Sequence, residues 1–159
     1  MLRFTSSLSP DCEAFAIFVT EKYYYRDINN VLSNKAVQKI NSFLSILKLK
    51  KEEEDISSFD ISDKQKCFVI KVKKKYENYT AQETGGSFFS CLKGFKYIKK
   101  VDLYSDSLDL NKEQLVSFFS QFIFGFNLKS YTFNKYKTLN KEKISKKINL
   151  KIITSYKKK

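Results

Sequence analysis

Residues 14–19, AFAIFV, form an uninterrupted apolar run that constrains the fold more than any other segment. A strand that is exposed on one face alternates apolar and polar residues, whereas a strand buried on both faces is apolar throughout. The run therefore predicts a central strand with helices on both sides. A chain of 159 residues, 42% of them hydrophobic, can form the core of one such domain.

Strand and helix periodicities alternate along the rest of the chain. After Ser33 or Asn34 as N-cap, six apolar residues recur at helical spacing: Ala36, Val37, Ile40, Phe43, Leu44 and Leu47. Further strands are predicted at 57–62, 66–72, 96–104 and 148–154, and a long helix at 111–127. The alternation indicates an α/β fold, a parallel or mixed sheet with helices on both faces.

A second helix is predicted to begin at Thr80, because Thr80 and Glu83 have the spacing of a capping box. Gly85 and Gly86 then fall within its first turns. Such a pair could let a phosphate approach the backbone, or let the helix pack closely on the sheet. The chain contains no GxGxxG or GK[ST] motif, so we favour close packing.

The helix at 111–127 begins with a capping pattern, Asn111 and Gln114, and carries several phenylalanines. These side chains define a broad apolar face: Phe118, Phe119, Phe122, Phe124 and Phe126. The face indicates core packing on more than one side, or contact with another domain or subunit.

The chain contains no His, which excludes catalysis and metal binding by imidazole. Cys12, Cys67 and Cys91 form no CxxC motif and have no His to activate them, so we expect reduced thiols and a cytoplasmic location. Asp102, Asp106 and Asp109 could line a cation site or belong to a polar loop, and we favour the loop. We expect no catalytic, cofactor-binding or metal-binding residue.

The net charge of +13 is concentrated at the end of the chain. Residues 129–159 contain eleven Lys and one acid, Glu142. With Tyr131, Tyr136 and Tyr156 among them, these lysines could bind nucleic acid without sequence preference. Only two arginines occur, so the forked side chains that read guanine edges are nearly missing. A general compositional bias towards Lys explains the charge equally well.

One segment carries a more specific signal. Residues 125–138, GFNLKSYTFNKYKT, resemble the end of the N-terminal domain of leucyl aminopeptidases, also called cytosol aminopeptidases. Lys129 stands where that family usually has Gly. The motif positions, which have a structural role in this interpretation, are Gly125, Tyr131, Phe133, Tyr136, Lys137 and Thr138.

The resemblance implies a macro-domain-like mixed sheet flanked by helices, with residues 1–155 as the domain and 156–159 as the start of a linker or tail. The family's enzymes are cytoplasmic hexamers. Their separate C-terminal domain holds two divalent metal ions, zinc or manganese, and removes N-terminal amino acids. Its NTDAEGR-type motif does not occur here.

The resemblance thus implies a non-catalytic N-terminal domain that assists assembly and controls access, covalently linked to a catalytic domain and part of a homo-oligomer. The alternative is a stand-alone, basic, macro-like module that binds nucleic acid or a nucleotide-type ligand such as ADP-ribose.

Overall fold

Six strands and three helices make up the part of the chain described by the computed structural model, residues 3–50, 54–75, 77–131 and 147–156. The strands are β1 Arg3–Thr5, β2 Ala14–Thr20, β3 Ile56–Ser62, β4 Gln65–Val72, β5 Lys100–Tyr104 and β6 Asn149–Ile153. The helices are α1 Asn34–Lys50, α2 Asn78–Lys93 and α3 Lys112–Ser130. A 3₁₀ turn, Ser105–Ser107, follows β5 directly.

The strands form one mixed sheet in the order β1-β6-β5-β2-β4-β3. All neighbouring pairs are parallel except β3 and β4, which form an antiparallel hairpin. β2 lies between β4 and β5, and its first six residues are buried. The apolar run therefore forms a central strand buried on both faces, as predicted.

Alternate residues of β2 point into two separate hydrophobic cores. Ala14, Ala16 and Phe18 face α2 and α3, whereas Phe15 and Ile17 face α1. Because successive side chains of a strand point to opposite faces, one apolar strand supplies both layers. The prediction of an α/β sheet with helices on both faces is confirmed.

α1 begins where the sequence predicts, and Ser33 caps it by accepting a hydrogen bond at Oγ from the Ala36 amide, 3.2 Å away. α3 begins after Asn111, whose side chain accepts from the Gln114 amide while Gln114 bonds back to the Asn111 amide. The predicted capping pattern is therefore confirmed at α3. Four of its phenylalanines are buried, but Phe124 is 54% exposed.

The strands of the structure differ from the predicted ones in two places. The edge strand β1 was not predicted, because its three residues contain one apolar side chain, Phe4, and show no periodicity. The strand predicted at 96–104 begins only at Lys100. Residues just before it form a turn in which the Ile98 amide donates to the Phe95 carbonyl, 3.2 Å away.

The prediction for the start of α2 was wrong. The helix begins at Asn78 after Glu77, so Thr80 lies inside it and cannot act as the N-cap. Gly85 and Gly86 consequently lie in mid-helix, away from its N-terminal amides. A phosphate cradle at this pair is therefore excluded.

Gly85 of α2 and Gly125 of α3 instead permit close contact between these two helices, whereas the sequence predicted close packing of a helix on the sheet. A Cβ atom on Gly85 would lie 1.9 Å from the Phe122 carbonyl oxygen, and one on Gly125 would lie 2.0 Å from the Gln82 carbonyl oxygen. Both distances are far below van der Waals contact. The two helices can approach this closely only because both positions lack a side chain.

None of the helices in the described ranges is long and apolar enough to cross a membrane.

We expect Gly125→Ala to destabilise the fold by about 2 kcal/mol or more, because the added methyl forces α2 and α3 apart. Gly86→Ala is the matched control, since its Cβ would meet its nearest atom at an ordinary 3.6 Å. That change should stabilise the helix by about 0.5 kcal/mol. Urea unfolding followed by circular dichroism measures both; equal effects would contradict the close contact.

Candidate functional site

The carboxyl ends of β2, β5 and β6 meet at one edge of the sheet, which we call the carboxyl edge. Ligands of open α/β sheets bind at this edge, so it is the first place to look for a site. Three segments form it here: the loop at 21–33, residues 105–111, and residues 154–156.

Asp106 lies at the centre of the carboxyl edge and is only 3% exposed. One carboxylate oxygen accepts from the hydroxyl of Thr154 at 2.9 Å and lies 3.1 Å from that of Ser105. The other accepts from the Ser155 amide at 2.6 Å. Asp106 therefore ties the end of β6 to the end of β5.

Asp27, in the loop after β2, likewise joins separate segments through hydrogen bonds. Its carboxylate accepts from the Tyr104 hydroxyl at 2.5 Å and from the amides of Val31 and Leu32 at 2.9 and 3.2 Å. Burial and this hydrogen bond raise the pKa of Tyr104 far above its ordinary value. Burial, followed by the charge of Asp27, raises the pKa of Tyr25 to about 12.

Arg26 joins the same loop to the segment after β5. Its guanidinium donates to the Asp106 and Leu110 carbonyls, at 3.3 and 3.1 Å, and pairs with Asp109 at 2.7 Å. Ser107 accepts from the Phe18 amide at 2.8 Å, in the centre of the sheet. The polar groups of this edge thus bind one another.

The polar groups of the carboxyl edge make contacts within the chain. Asp27 and Asp106 accept hydrogen bonds, and Arg26 pairs with Asp109. The Ser105 and Ser107 hydroxyls are buried, with no imidazole in the chain to activate them. Because of these internal contacts, we call this the closed carboxyl edge.

Asp102, Asp106 and Asp109 do not come together at one site, and only Asp106 and Asp109 lie in the segment after β5 where the sequence favoured a polar loop. Asp102 lies on the face of β5 that points towards α1, where it accepts from the Ser9 amide at 2.6 Å. Asp106 and Asp109 make the separate contacts described above. Within the described ranges, no three acidic or cysteine residues are grouped to hold a metal ion. These residues do not fit the two divalent ions that the resemblance implies for the catalytic domain.

The three thiols are free, as the sequence indicates. Burial raises the pKa of Cys12 to about 12, and it also raises that of Cys67 and of the half-buried Cys91. A thiol must lose its proton to act as a nucleophile or a metal ligand. The pKa shifts therefore oppose a catalytic role for these residues.

Of the motif positions taken from the resemblance, two lie in the described structure. Gly125 forms the close contact between the helices. Tyr131 follows the last residue of α3, is 70% exposed, and donates its amide to the Asn127 carbonyl, 3.1 Å away. Phe133, Tyr136, Lys137 and Thr138 lie outside the described residues, and so do most of the lysines at the end of the chain.

A groove of about 980 Å³ lies between α3 and the strands β1 and β6. Phe4 and Ile152 contribute from the sheet, and Val116 and Ile123 from the helix. Lys112 lines one end, with its ammonium 5.7 Å from the ring centre of Tyr156. This groove leaves no local signal in the sequence, since it depends on β1 and on which helix faces β6.

Sequence comparison with known protein families and with characterised proteins finds no match. Solved structures do match. A mutant of tomato leucine aminopeptidase is similar with a TM-score of 0.67 at 16% identity, over 95% of this chain and 32% of that enzyme. The DarG macrodomain of Thermus aquaticus gives a TM-score of 0.63 at 9% identity, over 97% and 98% of the two chains. The DarG macrodomain of Mycobacterium tuberculosis gives a TM-score of 0.63 at 11% identity, over 96% of this chain and 96% of that macrodomain.

The fold is macrodomain-like. Identities of this size show the fold alone and do not transfer a ligand or an activity. The chain spans about a third of the length of the aminopeptidase that it matches. The macro-like architecture implied by the resemblance is thus confirmed, whereas membership of the aminopeptidase family stays a proposal.

We expect Asp106→Ala to lower the free energy of unfolding by about 2 kcal/mol, because it removes the charged acceptor of the Thr154 hydroxyl and of the Ser155 amide. Asp109→Ala removes an exposed ion pair and should cost less than about 1 kcal/mol. Urea unfolding of both variants provides the comparison. Similar losses would show that Asp106 does not hold the edge together.

We expect stability to fall above about pH 9, where the Cys12 and Cys67 thiols keep their protons in the folded chain but ionise once unfolded. The fall should steepen above about pH 10, because Tyr104 and Tyr25 behave in the same way. The raised pKa favours folding below that pH, and this contribution is lost as the pH rises. Tyr104→Phe should make the decline shallower, whereas exposed Tyr24→Phe should not. Unfolding free energies from about pH 8 to 11 test this, and equal slopes would contradict it.

Proposed function

We propose that this chain is a non-catalytic N-terminal domain of a leucyl aminopeptidase-like metallopeptidase, with a structural role in oligomer assembly and in access to the active site. In this proposal the catalytic domain is covalently linked and supplies the two divalent metal ions, zinc or manganese. The protein is a cytoplasmic homo-oligomer, and this domain removes no amino acid itself.

The closed carboxyl edge carries the proposal. In an open α/β sheet this edge would hold a ligand, but here Asp27, Asp106 and Arg26 fill it with contacts inside the chain. A domain whose usual ligand position is closed is better suited to a scaffold role than to turnover. The similarity to part of an aminopeptidase, over 95% of this chain, is consistent with this role.

Contacts with a neighbouring domain would use exposed apolar residues of α3. Phe118, Phe119, Phe122 and Phe126 are buried in the core and are not available for this. Phe124, Leu128 and Tyr131 are 54%, 63% and 70% exposed, and they lie near the end of the helix. Phe124 is thus the exposed member of the phenylalanine face, and with Leu128 it is the part of α3 that we propose for assembly.

The alternative is a stand-alone module that binds nucleic acid or a nucleotide-type ligand. Coverage of 97% of this chain and 98% of the DarG macrodomain of Thermus aquaticus supports it, since the similarity extends over nearly all of that macrodomain. The carboxylates at the closed edge oppose a phosphate there. Gly85 and Gly86 contribute no cradle, because they lie inside α2.

The purified chain should release no product from leucine p-nitroanilide, with or without added Zn²⁺ or Mn²⁺, because the described residues contain no metal site. Metal-dependent turnover that survives further purification would contradict the proposal. In a separate thermal-unfolding experiment, added ADP-ribose should leave the Tm of the chain unchanged.

Anisotropy of a labelled oligonucleotide at low salt separates the two functions. Absence of binding excludes the nucleic-acid alternative. Binding that falls steeply as salt is added would support it.

The coding sequence beyond Lys159 tests the covalent partner: clustered Asp, Glu and Lys metal ligands there would support the aminopeptidase domain.

A further inference from the structure

A lysine-rich turn joins the end of α2 to the start of β5, at the edge of the sheet opposite the carboxyl edge. We call residues 93–99, KGFKYIK, the basic turn. It contains no acid, and Lys93, Lys96 and Lys99 are all exposed. None of these three lysines forms an ion pair with a residue of the described ranges. The basic turn therefore presents positive charge to solvent.

Backbone contacts hold the basic turn against the sheet. The Ile98 amide donates to the Phe95 carbonyl at 3.2 Å, and the Ile98 side chain is fully buried. Glu13, just before β2, accepts at Oε2 from the amides of Lys99 and Lys100, at 3.0 and 2.5 Å. The exposed lysines thus project from a fixed backbone.

Tyr97 places an aromatic ring among these lysines and is 55% exposed. Its ring lies nearly perpendicular to that of Phe95, with 6.2 Å between the ring centres. The Phe95 ring packs in turn against Phe68 of β4 at 5.7 Å. Because the core supports the exposed ring, a flat partner can stack on it with little loss of side-chain freedom.

The neighbouring acids leave this charge in place. Asp11 forms an ion pair with Lys100, outside the basic turn. Glu54 lies close enough to α2 that its charge, after burial, raises the pKa of Cys91. Residues two apart in a helix point in nearly opposite directions, so Glu54 does not face Lys93.

Lys147 adds a further lysine to this surface. The Asn149 amide donates to the Lys99 carbonyl at 2.8 Å, and exposed Lys147 lies two residues before Asn149. The basic turn, Lys100 and Lys147 together contain five lysines, whereas two acids, at positions 11 and 13, contact them. The surface therefore keeps a net positive charge.

A second lysine-rich stretch, residues 71–75, is compensated by acids. Asp55 pairs with Lys71 at 3.9 Å, and Glu21 accepts from the Lys74 amide at 3.4 Å. A high lysine content therefore does not by itself distinguish the basic turn. Its exposed, supported aromatic ring and its uncompensated lysines do.

We propose that the basic turn, with Lys147, binds the phosphates of a single-stranded nucleic acid, and that Tyr97 stacks on one of its bases. Lysines neutralise phosphates, and stacking on an aromatic ring tolerates any base. The turn contains no arginine, so binding has no sequence preference.

This inference rests on the alternative function and gives it a surface. The site lies at the opposite end of the strands from the closed carboxyl edge, so the carboxylates there do not oppose it. An anionic membrane fits the basic turn less well, because membrane-binding surfaces insert several apolar side chains. In this turn Ile98 is buried, and Tyr97 is the exposed large side chain that is not a lysine.

The test measures the anisotropy of a fluorescein-labelled single-stranded oligonucleotide of about 15 nucleotides with the full chain, at low salt. Lys96→Ala with Lys99→Ala should weaken binding at least about fivefold and make its salt dependence shallower. The matched control, Lys73→Ala with Lys74→Ala, removes the same charge and should leave affinity within about twofold. Circular dichroism confirms that each variant is folded.

A second pair of variants tests stacking. Tyr97→Ala should weaken binding of the single strand at least about fivefold and leave the salt dependence unchanged. Tyr24→Ala, at a tyrosine that is 56% exposed, is the control and should have no effect. With a duplex of the same sequence, whose bases are already stacked, Tyr97→Ala should also have no effect.

Each outcome bears on a different claim. Absence of oligonucleotide binding overturns this proposal together with the alternative function, and the scaffold role is unaffected. Binding that responds equally to the two double variants, or is insensitive to Tyr97→Ala, overturns the proposed surface but not the alternative function. Equal affinity for polyglutamate or for vesicles containing phosphatidylserine would show a general anion surface and would overturn the assignment to nucleic acid.

Discussion

The whole domain depends on β2 being able to bury both of its faces. Its backbone pairs with β4 on one side and β5 on the other, so its hydrogen bonds are satisfied within the sheet. Its side chains then divide between two cores, with Phe18 towards α2 and α3 and Phe15 towards α1. A polar residue in this strand would leave a buried group unsatisfied in one core or the other.

The close contact of α2 with α3 determines which surfaces remain open. Because Gly85 and Gly125 lack Cβ atoms, the two helices lie together, with α3 packed on β2 and α2 on β4. Val116 and Phe124 of α3 stay exposed, while four neighbouring phenylalanines are buried. Exposed and buried apolar residues therefore come from one helix.

The carboxyl edge of this macrodomain-like fold is held together by contacts within the chain. Asp106 and Asp27 accept hydrogen bonds from amides and hydroxyls of three separate segments. The buried carboxylate of Asp106 and the half-buried one of Asp27 are tolerated because these donors replace the water that they lose. The same hydrogen bonds therefore join the loops and satisfy the carboxylates.

Much of the fold could be predicted from local patterns, and each failed prediction has its own physical reason. The central strand, α1 and the cap of α3 follow from apolar periodicity and from Asn111 with Gln114, which act over a few residues. The capping pattern at Thr80 and Glu83 was misleading, because the true helix start at Asn78 has no side-chain cap. β1 was missed because a three-residue edge strand exists only through its pairing with β6.

The candidate site was less predictable than the fold. Asp106 was recognised as part of an acidic group, but nothing local separates it from Asp102, which lies on β5 on the side of α1. Arg26 and Asp27 appeared as ordinary loop residues, since their partners are about 80 positions away in the chain. Contacts of that range leave no periodic signal.

Sequence alone determined the α/β class, the buried central strand, the lack of imidazole chemistry and the excess of positive charge, because composition and short-range periodicity are properties of neighbouring residues. Tertiary structure alone decided that Gly85 and Gly125 allow α2 and α3 to pack closely, that the polar groups of the carboxyl edge bind one another and that a groove lies beside α3. Each of these depends on segments that meet only after the strands have paired, and pairing between distant strands is set by the whole core.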